Sequence, residues 1–131
     1  MYLLDNKGGE LKADFMSTDD FIRSEVVHKN IRLAHPEEIA AMKLEAITSR
    51  KEKKDYWDIF ILLNEYSFSQ LMDFYKERYP WNDIREVIES TGTSDKCDNQ
   101  PDPLTFCYKE WAEVKLKIHS ELQKILNKEL K

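Results

Sequence analysis

Cysteine is scarce in this chain of 131 residues, which contains only Cys97 and Cys107. Two thiols at this separation are too few for a disulfide framework or a zinc site, so we expect reduced, structural cysteines. No stretch approaches the roughly 18 apolar residues that a membrane-spanning helix needs. The N-terminus, MYLLDNKGG, lacks the basic segment and apolar run of a signal peptide. These absences predict a cytoplasmic protein that makes no use of a membrane.

The chain also lacks an excess of positive charge, with 20 basic against 25 acidic residues and a net charge of -5. This balance argues against broad nucleic-acid binding driven by overall charge, although a local basic site remains compatible with it. A hydrophobic content of 41% is typical of a folded globular protein. We therefore predict a single domain over residues 1–131, with a small sheet portion in 1–35 and a helical portion in 36–131.

Only three glycines are present, and two of them, Gly8 and Gly9, stand where a hairpin turn would need them. Residues 2–5 and 11–16 are predicted to form this hairpin, with Asp14 on the face opposite the apolar side chains. Residues 17–30 are predicted to be irregular, followed by a third short strand at 31–34. The predicted fold class is α+β, a mainly helical domain with a small N-terminal antiparallel sheet.

Helix signals begin at Pro36, which suits the first helical position, and His35 is a candidate cap. Ser67 to Gln70 form a capping-box pattern for a later helix, and Asn82 is the predicted cap of the next. The last helix, about 108–129, carries an apolar stripe that predicts core packing. If that stripe were exposed, it would be a contact for a second copy of the chain or for another protein. Its members are Trp111, Val114, Ile118, Leu122, Ile125 and Leu126.

A line of cations is the most informative feature of the chain. On one continuous helix, Lys43, Arg50 and Lys54 would project within roughly 40° of one another, with Asp58 one turn further on. Such a line suits a site that grips a polyanion such as a nucleoside triphosphate, although a solvated charged face has the same pattern. Asp58 lies in the apolar run YWDIFILL, where an unpaired charge would be costly. We therefore predict that Arg50 or Lys54 holds it.

These residues also carry a family resemblance. The segment KLEAITSRKEKKDYWD resembles the signature of the AbiEii/AbiGii-type toxin nucleotidyltransferases, KxxAxxxRxxxRDxxD. Lys54 stands where that signature commonly has Arg, which keeps the charge but not the bidentate fork. The resemblance extends over about 11–122, through IRLAHPEEIAAMK and through DNQPDP followed by Trp111. It implies a partial nucleotidyltransferase-like fold. The matching signature residues are Lys43, Ala46, Arg50, Asp55 and Asp58.

The resemblance implies transfer of a nucleoside monophosphate from an NTP to an RNA or protein acceptor. It makes Asp14, Lys43, Asp55 and Asp58 the candidate catalytic residues. Lys43, Arg50 and Lys54 are the candidate nucleotide-binding residues. Asp14 is the candidate ligand of Mg²⁺.

One motif of the superfamily is missing, because the GSxxD element that supplies two metal-binding carboxylates has no counterpart in this chain. The chain therefore resembles the C-terminal portion of such an enzyme, and we expect it to be inactive alone. The alternatives are a non-catalytic interaction module with a degenerate nucleotidyltransferase fold and a half-enzyme completed in trans. The implied partners are an NTP, an RNA acceptor, and an antitoxin or a second copy of the chain.

Overall fold

The structure is a computed structural model that describes residues 1–18 and 20–129. Within these residues, short strands precede Pro36 and the α-helices follow it. The predicted α+β class is confirmed. The strands are β1 (Tyr2–Leu4), β2 (Glu10–Lys12), β3 (Val26–His28) and β4 (Ile31–Leu33). The helices are α1 (Pro36–Ser49), α2 (Lys53–Leu62), α3 (Phe68–Arg78), α4 (Ile84–Gly92) and α5 (Trp111–Glu129), with a 3₁₀ turn at Ser94–Cys97.

The first hairpin pairs β1 with β2 in antiparallel register, with Leu3 opposite Leu11. Gly8 adopts φ 82 in the turn, where the Asp5 carboxylate accepts hydrogen bonds from backbone N–H groups. The pairing ends earlier than predicted, at Lys12. Asp14 therefore lies beyond the strand, and the predicted alternation of faces does not apply to it. Phe15, which that alternation would bury, is 82% exposed.

The second hairpin corrects the sequence prediction in part. The strand predicted at 31–34 is present as β4, but residues 17–30, predicted to be irregular, contain β3. β3 pairs with β4 in antiparallel register, with His28 opposite Ile31. Lys29 and Asn30 form the turn with φ values of 49 and 65. Two consecutive residues with positive φ match the twist of a two-residue hairpin. The sheet is thus two separate two-stranded hairpins.

Helix α1 begins as predicted, because His35 Nδ1 accepts a hydrogen bond from the Glu37 N–H at 3.1 Å. The predicted continuous helix through the signature is wrong, since α1 ends at Ser49 and α2 begins at Lys53. Lys51 has a φ of 51, a left-handed conformation that a helix cannot contain. We call residues 50–52 the bend.

The helices enclose the apolar core. Val114, Ile118 and Leu122 of α5 are buried, so the stripe packs inside the molecule as predicted. The capping box at Ser67 is also present in the structure. Helix α4 is capped by Asp83 rather than by the predicted Asn82. Asn82 lies one residue before this cap, and its Nδ2 donates to Glu45 Oε2 and to the Tyr75 hydroxyl oxygen.

A buried ion pair anchors the segment that links the hairpins. Arg78 Nη1 lies 2.6 Å from Glu38 Oε2, and both side chains are almost fully buried. Glu38 Oε1 also accepts hydrogen bonds from the N–H groups of Ile22 and Arg23. Arg78 Nη2 donates to the Thr18 hydroxyl at 2.7 Å. Thr18, Ile22 and Arg23, which lie between the two hairpins, are therefore fixed against α1 and α3. No helix in the described ranges has the length and apolar character for crossing a bilayer.

Candidate functional site

The bend brings four signature side chains together. Lys43 projects from α1, Arg50 lies at the start of the bend, and Asp55 and Asp58 project from the first turns of α2. Lys43 Nζ lies 3.3 Å from Asp55 Oδ1 and 2.8 Å from Asp58 Oδ2. We call these four residues the carboxylate–cation cluster.

Asp55 is the centre of the carboxylate–cation cluster, since its side chain is 0% exposed. Arg50 donates two hydrogen bonds to it from one edge of its guanidinium, with Nε 2.7 Å from Oδ2 and Nη2 2.7 Å from Oδ1. Burial alone would raise the pKa of Asp55, but the Arg50 hydrogen bonds and the charge of Lys43 outweigh it and lower the pKa. The carboxylate is thus held ionised inside the protein.

The charge of Asp55 also affects the pKa values of nearby buried groups. Burial raises the pKa of the Cys97 thiol and of the Tyr56 hydroxyl, and Asp55 adds to both shifts. Burial lowers the pKa of Lys43, but its contacts with Asp58 and Asp55 reverse this and leave the pKa raised. Lys43 is therefore cationic at neutral pH.

The partner predicted for Asp58 is wrong. Lys43 holds it rather than Arg50 or Lys54, and its side chain is 43% exposed, so it is not buried. Lys54 lies outside the carboxylate–cation cluster and pairs with Glu52 at 3.1 Å. The bend causes both differences, because it rotates α2 away from the alignment that one continuous helix would give. Two of the three predicted cations, Lys43 and Arg50, do come together, but they do so through contacts with Asp55 across the bend rather than along one helix face.

Asp14, the predicted metal ligand, lies apart from these residues. Its side chain is 57% exposed and forms an ion pair with Lys12 at 3.6 Å. Within residues 1–18 and 20–129, no hydrogen bond or ion pair joins Asp14 to the carboxylate–cation cluster. The hairpin that precedes Asp14 is exposed along both strands.

The segment before α5 holds the bend from the other side, and sequence reasoning did not assign it this role. Gln100 donates from Nε2 to the Lys51 carbonyl at 3.2 Å and accepts the Lys53 N–H at Oε1 at 2.7 Å. Lys53 Nζ contacts the Gln100 carbonyl at 2.7 Å and Asp102 at 3.0 Å, and lies 5.0 Å from the centroid of the Trp111 ring. The available signal was the resemblance of DNQPDP and Trp111 to the family's closing segment.

The carboxylate–cation cluster presents two cationic side chains at a partly exposed surface. The side chains of Lys43 and Arg50 are 26% and 46% exposed, while their shared partner Asp55 is buried. The buried Asp55 carboxylate fixes these two cationic groups in place, and each side chain keeps part of its surface in contact with solvent. Such groups suit the oxygens of phosphates or carboxylates. The formal charge is nevertheless zero, because two cations face two carboxylates.

Comparison with protein families decides the assignment. The family model described as "Nucleotidyl transferase AbiEii toxin, Type IV TA system" matches residues 9–127. The chain belongs to this family. The match covers β2, the whole second hairpin, the signature and most of α5. AbiEii membership makes the chain nucleotidyltransferase-like and related to the toxins of type IV toxin–antitoxin systems. No curated protein and no solved structure matched the chain.

The AbiEii family implies a divalent metal ion, which needs several oxygen ligands close together. Within residues 1–18 and 20–129, no three His, Cys, Asp or Glu side chains are grouped so that they could hold a metal. Asp55 has its oxygens occupied by Arg50 and Lys43. Asp14 stands as a single exposed carboxylate. The described residues therefore do not fit a two-metal site, which needs several oxygen ligands.

Proposed function

We propose that this chain supplies the phosphate-binding surface of a nucleotidyltransferase-type toxin. The observation that carries the proposal is the position of Lys43, a cation fixed between two carboxylates yet 26% exposed. In the proposed role, Lys43 neutralises charge on the triphosphate of an NTP. Arg50 supports it through the outer edge of its guanidinium.

The remaining site residues have proposed roles around this pair. Asp55 fixes both cations, and Asp58 either orients Lys43 or contributes to the site of the acceptor. Lys54 extends the cationic surface along α2, where its side chain is 54% exposed. The proposed acceptor is an RNA, the proposed partner is an antitoxin, and the proposed location is the cytoplasm.

Triphosphate binding by the chain should be weak. The carboxylate–cation cluster has no net charge, so an incoming polyanion must compete with Asp58 for Lys43. Attraction at a partly exposed site is also screened by salt within about 10 Å at 0.1 M ionic strength. Neutralising Asp58 removes the competitor, and Asp58→Asn should therefore bind triphosphate more tightly than the wild type.

Titration of the purified chain with tripolyphosphate and with each NTP tests this proposal. Nuclear magnetic resonance shifts, followed at low and at physiological ionic strength, should move at Lys43 and Arg50. Lys43→Met should abolish the response. Lys124→Met is the matched control, because Lys124 is an exposed lysine of α5 paired with Glu121 and distant in sequence from the signature. Equal losses in the two variants would contradict the proposal.

We further propose that the chain alone does not transfer nucleotides, because Asp14 by itself cannot hold two metal ions. Incubation with labelled NTPs, magnesium and total RNA should give no labelled product. Metal-dependent labelling that persists after repurification and disappears in Asp14→Ala would overturn this.

The exposed hairpins support contact with another chain, which both a half-enzyme completed in trans and a non-catalytic interaction module would make. Tyr2, Leu4, Val27 and Ile31 are more than half exposed, and an isolated two-stranded hairpin is marginally stable in water. A further strand supplied by another chain, or by a second copy, would cover them. Sedimentation velocity over a range of concentrations tests the second copy. A monomer at every concentration would exclude the homodimer.

A further inference from the structure

The start of α2 is capped from a distant part of the chain. Its N-cap residue, Glu52, makes no capping hydrogen bond through its side chain. The first N–H of the helix, that of Lys53, is instead accepted by Gln100 Oε1 at 2.7 Å. Helix N-termini have unsatisfied N–H groups that need such acceptors. Gln100 thus replaces the local cap, 47 residues away in sequence.

The same amide also holds the residue that makes the bend. Gln100 Nε2 donates to the Lys51 carbonyl at 3.2 Å, and the Cys97 thiol donates to that carbonyl at 3.0 Å. Lys51 has a φ of 51, which a non-glycine residue keeps only where its surroundings enforce it. One side chain therefore contacts the backbone on both sides of Glu52.

We infer that Gln100 is a positioning residue for the carboxylate–cation cluster, setting Arg50 opposite Asp55 by fixing the bend between them. Arg50 immediately precedes Lys51, and Asp55 is the third residue of α2. Two hydrogen bonds of 2.7 Å between them require one relative orientation of the two segments. If the bend relaxes, the guanidinium cannot keep both bonds. The geometric effect stands alone, whereas its bearing on nucleotide binding rests on the function proposed above.

The test replaces Gln100 by methionine, which preserves length and removes both polar contacts. Carbon-detected titration of the Asp55 carboxylate should show an upward shift of its pKa, because the Arg50 hydrogen bonds that lower it are weakened. Hydrogen exchange at Arg50 Nε–H should become faster for the same reason. The groups that face Asp55 are unchanged in this variant: Lys43 from α1, Arg50 from the bend, and the neighbouring Cys97 thiol and Tyr56 hydroxyl.

The matched control is Ser94→Ala, in the 3₁₀ turn of the same connection. It removes the 3.2 Å contact of Ser94 with His119 and leaves the bend intact. Both variants should lower the melting temperature, but only Gln100→Met should move the Asp55 pKa and the Arg50 exchange rate. If Gln100 had a purely structural role, both variants would lower stability, and neither would change the Asp55 pKa or the Arg50 exchange rate. That result would overturn the inference.

A second variant serves if Gln100→Met fails to fold. Gln100→Asn retains the amide but is one methylene shorter, so it cannot reach both Lys51 and Lys53, and it should shift the same two readouts by less. An unchanged Asp55 pKa in this variant refutes the positioning role whether or not the wild type binds triphosphate. A shifted pKa supports it even if the wild type shows no triphosphate binding, an outcome that would refute only the proposed function.

Discussion

Replacing Asp55 by asparagine should destabilise the protein by about 2 kcal/mol at neutral pH. The estimate starts from the two hydrogen bonds of Arg50, since bonds to charged groups contribute about 1.5–3 kcal/mol each. The asparagine oxygen keeps one acceptor but not the charge, so one bond is lost and the other weakened. Arg50 is 46% exposed and regains water, which keeps the loss below the roughly 3–5 kcal/mol typical of breaking a fully buried pair.

The effect should depend on pH in a defined direction. The folded-state pKa of Asp55 lies below its ordinary value, so its carboxylate stabilises the fold above the unfolded pKa of about 3.9. This contribution is lost as the pH falls below about 4 and through the folded pKa. The difference in unfolding free energy between wild type and Asp55→Asn should therefore be full at neutral pH and shrink in acid.

Urea unfolding followed by tryptophan fluorescence, at neutral pH and in acid, measures both quantities. Asp58→Asn is the matched control on the same helix. Its carboxylate is 43% exposed and, in the part of the chain that the structure describes, pairs only with Lys43, so its loss should be at most about 1 kcal/mol. Equal losses for the two variants, or a loss for Asp55→Asn that does not change with pH, would refute the assignment of Asp55 as the centre of the carboxylate–cation cluster.

Three further predictions concern stability, each measured by urea unfolding. Glu38→Gln should cost about 3–5 kcal/mol, because it leaves Arg78 buried without its counter-charge; a loss under about 1 kcal/mol would contradict the buried pair. Ser67→Ala should cost about 1 kcal/mol through loss of the α3 cap to the Gln70 N–H, and no loss would mean that the capping box contributes nothing. Trp57→Phe should change stability by less than about 1 kcal/mol. Its buried indole N–H has no hydrogen-bond partner among the described residues, so relieving that cost offsets the lost ring area; a loss of several kcal/mol would contradict this.

The parts of the fold that local chemistry determines were predictable. The cap at His35, the capping box at Ser67 and the buried stripe of α5 all follow from side chains near in sequence. The second hairpin was missed because its turn, Lys29–Asn30, contains no glycine to mark it. The strand-forming residues on either side, Val26 and Val27 before the turn and Ile31 and Leu33 after it, were the available signal.

Part of the candidate site was predicted as a set of residues, but its geometry was not, and the predicted Asp14 and Lys54 make their ion pairs elsewhere. The signature identified Lys43, Arg50, Asp55 and Asp58, and the structure brings these four together. The partners were wrong, because helical periodicity was extended through residues 50–52. No glycine or proline marks the bend in the sequence, and the contacts that enforce it come from Gln100 and Cys97, which are distant in sequence. Local pattern could not show a break that tertiary hydrogen bonds impose.

The contacts that the signature residues make in the structure require that break. On a continuous helix, side chains five residues apart project roughly 140° from one another, and those twelve apart roughly 120°. Arg50 and Asp55 are five apart, and Lys43 and Asp55 are twelve apart, so neither pair could meet on one helix. Both pairs meet in the structure because the helix is interrupted at the bend, where Lys51 has a φ of 51. The carboxylate–cation cluster is therefore a product of the bend, and its integrity depends on the segment that holds the bend in place.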